Sequence, residues 1–198
     1  MKKTLSMLAA CLLVLSLGAC GKTEKISEES TAAAGEKPVA VITIQDYGTI
    51  RAELDPEAAP ATVENFCRLA EEGFYDGLTF HRIISGFMIQ GGDPTGSGMG
   101  GSEETIRGEF SDNGVENPIS HVRGTLSMAR SQMPDSASSQ FFIVHEDSTF
   151  LDGAYAGFGR VLEGMEVVDA ICRDTPVEDD NGTVAPENQP VIQSITLE

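Results

Sequence analysis

The 198-residue chain has no tryptophan, only three histidines and four cysteines, and aromatic residues make up just 6% of it. Positive charge is scarce too: 13 Lys and Arg stand against 31 Asp and Glu, a formal net charge of −18. That balance excludes nucleic acid as a partner, because phosphate binding rests on clustered Lys and Arg. It also disfavours electrostatic attraction to anionic lipid surfaces. The histidines, His81, His121 and His145, lack paired metal-ligand spacing and read as structural or surface residues, so no metal site is expected. No G-x-S-x-G elbow is present, and no thiol is placed with a histidine as a nucleophile would need. No internal repeat is visible. What is abundant is glycine, with 21 residues. Glycine at that level signals many turns, hence a β-rich fold rather than a coiled coil or helical array.

The N-terminus stands apart. Lys2 and Lys3 precede a run from Leu5 to Leu17 broken only by small residues. A basic start followed by ~13 apolar positions reads as a secretory signal, since a spanning helix needs ~20. Leu17-Gly18-Ala19-Cys20 resembles the lipobox of bacterial lipoproteins. There the signal is cleaved before the cysteine, whose sulfur receives a diacylglyceryl group. The resemblance implies a signal over 1–19, a lipidated Cys20 and an extracytoplasmic protein anchored to the cell membrane. Stable anchoring takes two or more acyl chains. Residues 20–38 hold one large apolar side chain, Ile26, and no periodicity, so a disordered tether reaching about 23 Å is expected. Cys11 leaves with the signal. Cys67 and Cys172 could form one disulfide, although their places on apolar helix faces favour two buried free thiols.

The remainder, 39–198, reads as strands with two helices. Val39–Ile44 and Gly48–Leu54 are β-rich runs joined by a hairpin signal at Gln45-Asp46-Tyr47. Pro60–Glu72 has apolar residues at helical spacing, Pro at its start and Gly73 after its end. Further strand-like runs are Phe80–Ile84, Phe87–Gln90, Thr125–Ala129, Gln140–Val144, Ala156–Val161 and Val191–Leu197, with a short helix at Glu163–Cys172. The fold class is mainly β, an antiparallel barrel or sandwich. Gly96-Ser-Gly98-Met-Gly-Gly101 matches the dinucleotide pattern, but no apolar helical stripe follows it, so it reads as a glycine loop. Glu103, Glu104, Glu109 and Asp112 lack the alternation of a calcium loop and read as solvated surface.

One segment carries unusual chemistry. Phe80-His-Arg-Ile-Ile-Ser-Gly-Phe-Met-Ile-Gln-Gly-Gly-Asp93 places Arg82 and Gln90 in otherwise apolar strands. It resembles the central signature of cyclophilins, which are peptidyl-prolyl cis-trans isomerases. The rest of that family's pattern appears in order around it: Gly73-Phe-Tyr-Asp-Gly77 before it, then Gly124-Thr-Leu-Ser-Met-Ala129, Ser139-Gln-Phe-Phe-Ile143, Leu151-Asp-Gly153 and Gly157-Phe-Gly-Arg-Val161. The resemblance covers 39–198 and implies a closed eight-stranded antiparallel barrel capped by two helices. In that fold the helices cap opposite ends, which would leave Cys67 and Cys172 unpaired.

Residue by residue, the resemblance makes Arg82 the catalytic arginine and Gln90 the glutamine that orients it. Phe87, Met88, Phe142 and Leu151 would receive the proline ring, with Ala129 and Gln140 lining the groove. Three positions depart from the pattern: Arg130 stands for an asparagine, Phe150 for a rim tryptophan and Tyr155 for a histidine. They leave the chemistry in place while putting backbone anchoring and sequence preference in question, and they imply weak cyclosporin binding. The implied activity is rotation of X–Pro bonds in extracytoplasmic, unfolded proteins, with no cofactor. The competing reading is a proline-peptide-binding holdase chaperone with little catalysis. Arg82 and Gln90 favour the enzyme, since binding needs only the pocket.

Overall fold

A computed structural model describes residues 37–198. The expected signal, Cys20 and nearly all of the expected tether lie outside the described residues. The chain runs β1 (Val39–Ile44), β2 (Gly48–Leu54), α1 (Pro60–Glu71), β3 (Thr79–Ile84), β4 (Met88–Asp93), β5 (Thr125–Met128), β6 (Phe141–Val144), β7 (Gly157–Glu163), α2 (Met165–Asp174) and β8 (Ile192–Leu197). All strand pairs are antiparallel, in one sheet of order β3-β4-β6-β5-β7-β2-β1-β8.

The closed barrel expected from the sequence is corrected to an open, curled half-barrel. Its edge strands β3 and β8 meet only at their near ends, around the Thr79–Val191 bridge, where the Phe80 N–H donates to the Pro190 carbonyl at 2.9 Å and the Ile192 N–H to the Leu78 carbonyl at 2.7 Å. Pro190 has no N–H to continue a ladder. Beyond that point β3 takes other partners: the Ile83 N–H donates to the Gly182 carbonyl at 2.8 Å, and the Val184 N–H to the His81 carbonyl at 3.0 Å. A loop, not a strand, thus covers the free edge of β3.

Helix α1 starts at Pro60, whose fixed φ suits the first turn. Its orphan N–H groups are met from far along the chain. The Glu109 carboxylate accepts from the N–H of Ala61 (3.0 Å) and Thr62 (2.8 Å) and from the Thr62 hydroxyl (2.7 Å). Glu109 is 5% exposed, so its reading as solvated surface is also corrected. Helix α2 begins two residues later than the periodicity suggests, because β7 continues to Glu163 and Gly164 turns the chain at φ +96°. A side chain there would collide with the Thr49 carbonyl. Cys67 on α1 and Cys172 on α2 are free thiols, half-buried rather than buried. Burial pushes them up to about 11 and about 12.

Ile42, Ile50, Leu54 and Ile195 alternate along their strands into one buried core that includes Phe66 of α1. The Phe66 ring lies 5.4 Å from Phe141 at 88° and 5.2 Å from Phe158. Each such burial stabilises by roughly 1.5–3 kcal/mol. The strand-like run expected to end at Gln90 continues through Gly91 and Gly92 to Asp93. A Cβ at Gly91 would stand 2.6 Å from the Thr79 carbonyl, so glycine here permits a close approach of two backbones.

Candidate active site

Strand alternation puts a second set of side chains on the outer face of the same strands. Ladder pairing aligns Arg82 with Gln90, Gln90 with Phe142 and Phe142 with Ser127 in one row, and Ile84 with Met88 and Met88 with Val144 in the next. Met88, Phe142, Val144 and Leu151 form a second buried cluster, distinct from the main core, with Phe87, Ala129 and Tyr155 half-buried against it. All of these except Val144 floor a cavity of about 600 Å³ that Arg82, Gln90 and Arg130 also line. An apolar floor beside convergent polar groups is the usual form of a small-ligand site.

Arg82 is held on three sides. Its Nη1 donates to Gln90 Oε1 at 3.2 Å, its Nε to the Asn181 carbonyl at 2.9 Å and its Nη2 to Asn181 Oδ1 at 3.2 Å. Burial pulls the guanidinium pKa down from its usual value while nearby Asp179 opposes this. It remains a cation, since guanidinium does not deprotonate in proteins. Gln90 passes the order on. Its Nε2 donates to Gln140 Oε1 at 2.8 Å, and Gln140 Nε2 donates to the carbonyls of Gly98 (3.1 Å) and Gly100 (2.7 Å).

The glycine loop that ends this relay is itself fixed. The Asp93 carboxylate accepts from the N–H groups of Thr95 (2.7 Å), Ser97 (3.1 Å), Gly98 (2.6 Å) and Gly100 (3.1 Å). Those hydrogen bonds outweigh the opposing effect of burial and hold Asp93 at about 2. The loop's N–H groups therefore face an internal carboxylate rather than the phosphates a dinucleotide loop would cradle.

Supporting residues complete the walls. His121 is fully buried, with Nδ1 2.9 Å from Asp152 Oδ1 and Nε2 2.9 Å from Ser127 Oγ, and it stacks at 20° on Phe142. Arg130 donates from Nε and Nη2 to the Ala154 carbonyl (3.0 and 2.8 Å) and from Nη1 to the Ser131 carbonyl (2.9 Å). Its guanidinium lies between the rings of Phe110 (4.9 Å) and Tyr155 (4.7 Å). Arg130 thus braces the wall and holds Tyr155 edge-on to Phe142. Phe150 stands outside the pocket, 74% exposed, its ring 5.5 Å from Phe87.

Arg82, Gln90, Phe87, Met88, Ala129, Arg130, Phe142, Leu151 and Tyr155 gather here as anticipated from the sequence, with Phe150 outside at the rim and Gln140 lining the adjoining cavity behind Gln90. Asn181 and His81 were not anticipated. Nothing local to the Asn181-Gly182 pair shows that it docks on Arg82.

The chain matches the family model for cyclophilin type peptidyl-prolyl cis-trans isomerase/CLD over residues 39–197. Peptidyl-prolyl cis-trans isomerase B of Bacillus subtilis is 52% identical over 123 residues, which is 62% of this chain and 82% of that protein. A probable peptidyl-prolyl cis-trans isomerase of Brucella suis is 37% identical over 205 residues, covering 98% of this chain and 95% of the relative. The crystal structure of a Cryptosporidium parvum cyclophilin type peptidyl-prolyl cis-trans isomerase, in the presence of the dipeptide Ala-Pro, matches with a TM-score of 0.71 and 32% identity, covering 81% of this chain and 98% of that one. On this evidence the chain belongs to the cyclophilin-type peptidyl-prolyl cis-trans isomerase family.

Proposed function

We propose that the protein accelerates rotation about X–Pro bonds in unfolded extracytoplasmic polypeptides, with Arg82 as the catalytic donor and a lipidated Cys20 as membrane anchor. The observation that carries the catalytic reading is the three-way tether of Arg82 at the mouth of the Met88, Phe142 and Leu151 pocket. Rotation is slow because amide resonance is lost, with a barrier of ~18–20 kcal/mol. As the bond twists, the prolyl nitrogen becomes pyramidal and gains a lone pair. A guanidinium N–H can bond that lone pair only in the twisted state, which is differential transition-state binding. Such a charge-assisted bond contributes ~1.5–3 kcal/mol, roughly one to two orders of magnitude in rate. The apolar pocket fixes the ring while the acyl side turns. Transfer of the amide out of water, which stabilises its charge-separated resonance form, supplies a further part.

The anchor reading is supported by the Leu17-Gly18-Ala19-Cys20 segment at the end of an apolar run. Weak cyclosporin binding is proposed on the absence of an indole donor at Phe150. The central test couples isomerisation of a short X–Pro peptide to isomer-specific proteolysis. Catalysis above the spontaneous rate is expected, and binding without acceleration would favour a holdase instead. For the anchor, Cys20→Ser should move the protein from the membrane to the soluble fraction. Mass spectrometry of an unmodified wild-type Cys20 would overturn that part alone.

A further inference from the structure

Phe87 lines the cavity from just outside the regular strands, at the end of the turn between β3 and β4. It is half-buried against the Met88, Phe142, Val144 and Leu151 cluster. The ladder leading to that turn is regular from the Arg82–Gln90 pair to the Ile84–Met88 pair, after a bulge at His81 that sets Phe80 against Gly91. Beyond Ile84 the chain closes tightly. The Phe87 N–H donates to the Ile84 carbonyl at 3.0 Å, and Gly86 takes φ +82°. That one bond fixes the turn but leaves little to fix the Phe87 ring, whose neighbour on the solvent side, Phe150, is itself exposed.

His145, the residue after β6, fastens the turn from outside. Its backbone N–H donates to the Phe87 carbonyl at 2.8 Å, and its Nδ1 accepts from the Gly86 N–H at 2.9 Å, so the residue brackets the Gly86-Phe87 pair. Among the described residues it is the one side chain bonded to the backbone of that pair. An N–H can bond only a lone pair, so Nδ1 is bare and the ring proton sits on Nε2. Nε2 donates to Asp169 Oδ1 of α2 at 3.1 Å. Arg123 closes the ring of contacts: its Nη2 donates to both Asp169 oxygens (2.7 and 2.8 Å) and its Nη1 to the His145 carbonyl (2.8 Å). The His145 side chain is 13% exposed, so water competes little for these bonds. None of the three side chains lines the cavity.

Resting on the isomerase reading, we infer that His145 is a positioning residue for the substrate's proline: its Nδ1 acceptor fixes the Gly86-Phe87 turn and thereby holds the Phe87 ring in the pocket wall. Asp169, braced by Arg123, sets the tautomer and the tilt of the imidazole, since the partner of one ring nitrogen decides the role of the other. The Arg82 donor and its Gln90 and Asn181 tethers are untouched by this arrangement. Loss of the acceptor should therefore weaken peptide binding and leave the rotation step alone.

The two ring nitrogens are separable by substitution in the full-length protein. His145→Gln keeps the reach to Asp169 and gives up the acceptor for Gly86. It should raise KM for a short X–Pro peptide, and the Kd read by titration calorimetry, about fivefold, with kcat within about twofold of wild type. His145→Asn puts an acceptor where Nδ1 stands and gives up Asp169, and it should recover most of the wild-type affinity. In a Phe87→Ala background His145→Gln should add little to KM or Kd, because its effect passes through that ring. Equal losses in the Asn and Gln variants would overturn the inference. So would a change confined to kcat or to melting temperature, or full additivity with Phe87→Ala. If the wild type binds the peptide without turning it over, the isomerase reading falls and the affinities alone decide the role of His145. No peptide binding by the wild type would overturn both.

Discussion

The two faces of β4 and β6 differ by one residue step and in almost every physical property. Ile89, Phe141 and Ile143 point inward and are fully buried, with Phe141 ringed by Phe66, Tyr75 and Phe80. Met88 and Phe142 point outward into a smaller buried cluster edged by half-buried Phe87, Ala129 and Tyr155, and Gln90 beside them takes its place in a relay of side-chain hydrogen bonds. The inner face depends on packing density, so it answers to volume. The outer face depends on donors held in place without substrate, so it answers to hydrogen-bond geometry. Stability and activity should therefore separate along the same strands.

Paired substitutions would break that comparison most forcefully. Arg82→Ala should lower kcat/KM by about 10²–10³, as loss of one transition-state donor does elsewhere. Its stability should change by about 1 kcal/mol or less, because the lost bonds are partly solvated. Arg82→Lys should recover little, since an ammonium lacks the planar fork. Phe141→Ala, one residue from the groove residue Phe142, should lose about 3–5 kcal/mol of stability through cavity formation. Thermal melts and the coupled isomerase assay check both. A comparable loss of stability in Arg82→Ala would show that the two faces are not independent.

Asp93 links the faces through pH. Its folded pKa of about 2 lies below the unfolded value of about 3.9. A depressed carboxyl stabilises fully above the unfolded pKa and ceases to do so as pH falls through the folded one. Its contribution, about 2 kcal/mol, should thus be present above about pH 5 and fade between there and pH 2. Asp93→Asn should flatten denaturant-measured stability over that window and loosen the glycine loop under Gln140. An unaltered pH dependence would show that the loop's N–H groups find equal partners without the carboxylate.

Asn181 sharpens the comparison at a smaller scale, since it acts on the reaction only through Arg82. Asn181→Ala removes the Oδ1 acceptor but leaves the backbone carbonyl on Nε. We expect kcat to fall about fivefold with KM nearly unchanged, and Asn181→Asp to restore most of the rate. An effect confined to KM would make Asn181 a substrate contact instead.

What the sequence made legible follows from the range of the interactions. Alternation in Val39–Ile44 and Gly48–Leu54, and Pro60 before a helical stripe, are local patterns, and both strands and helix formed there. The pocket residues were legible through the family signature, because those motifs keep their spacing. The rest depends on distant partners. Glu109 caps a helix 47 residues away, and Asn181 grips an arginine 99 residues away. The bulge at His81 is a property of the β3–β4 register and leaves no mark in the β3 sequence alone. The strand-like run was read to end at Gln90, whereas β4 continues through Gly91 and Gly92, because the demand for glycine at Gly91 came from the Thr79 carbonyl on the neighbouring strand.

The smallest effect concerns the rim, where the outer face gives way to solvent. Phe150 is 74% exposed and leans on Phe87, so it offers an apolar face but no donor. In cyclophilins that bind cyclosporin well, the resemblance places an indole here, donating to a drug carbonyl. Leaving that carbonyl unpaired costs ~1–3 kcal/mol, which would make the native protein a weak binder. Phe150→Trp should tighten cyclosporin binding severalfold, read by titration calorimetry. Turnover of short proline peptides should change less, because the proline ring lies deeper, against Met88, Phe142 and Leu151. Arg130 is the alternative determinant, since its guanidinium nitrogens are committed to the Ala154 and Ser131 carbonyls and its face to Phe110 and Tyr155. Equal drug affinities in Phe150→Trp and wild type would assign the rim to that braced arginine and Tyr155 rather than to the missing indole.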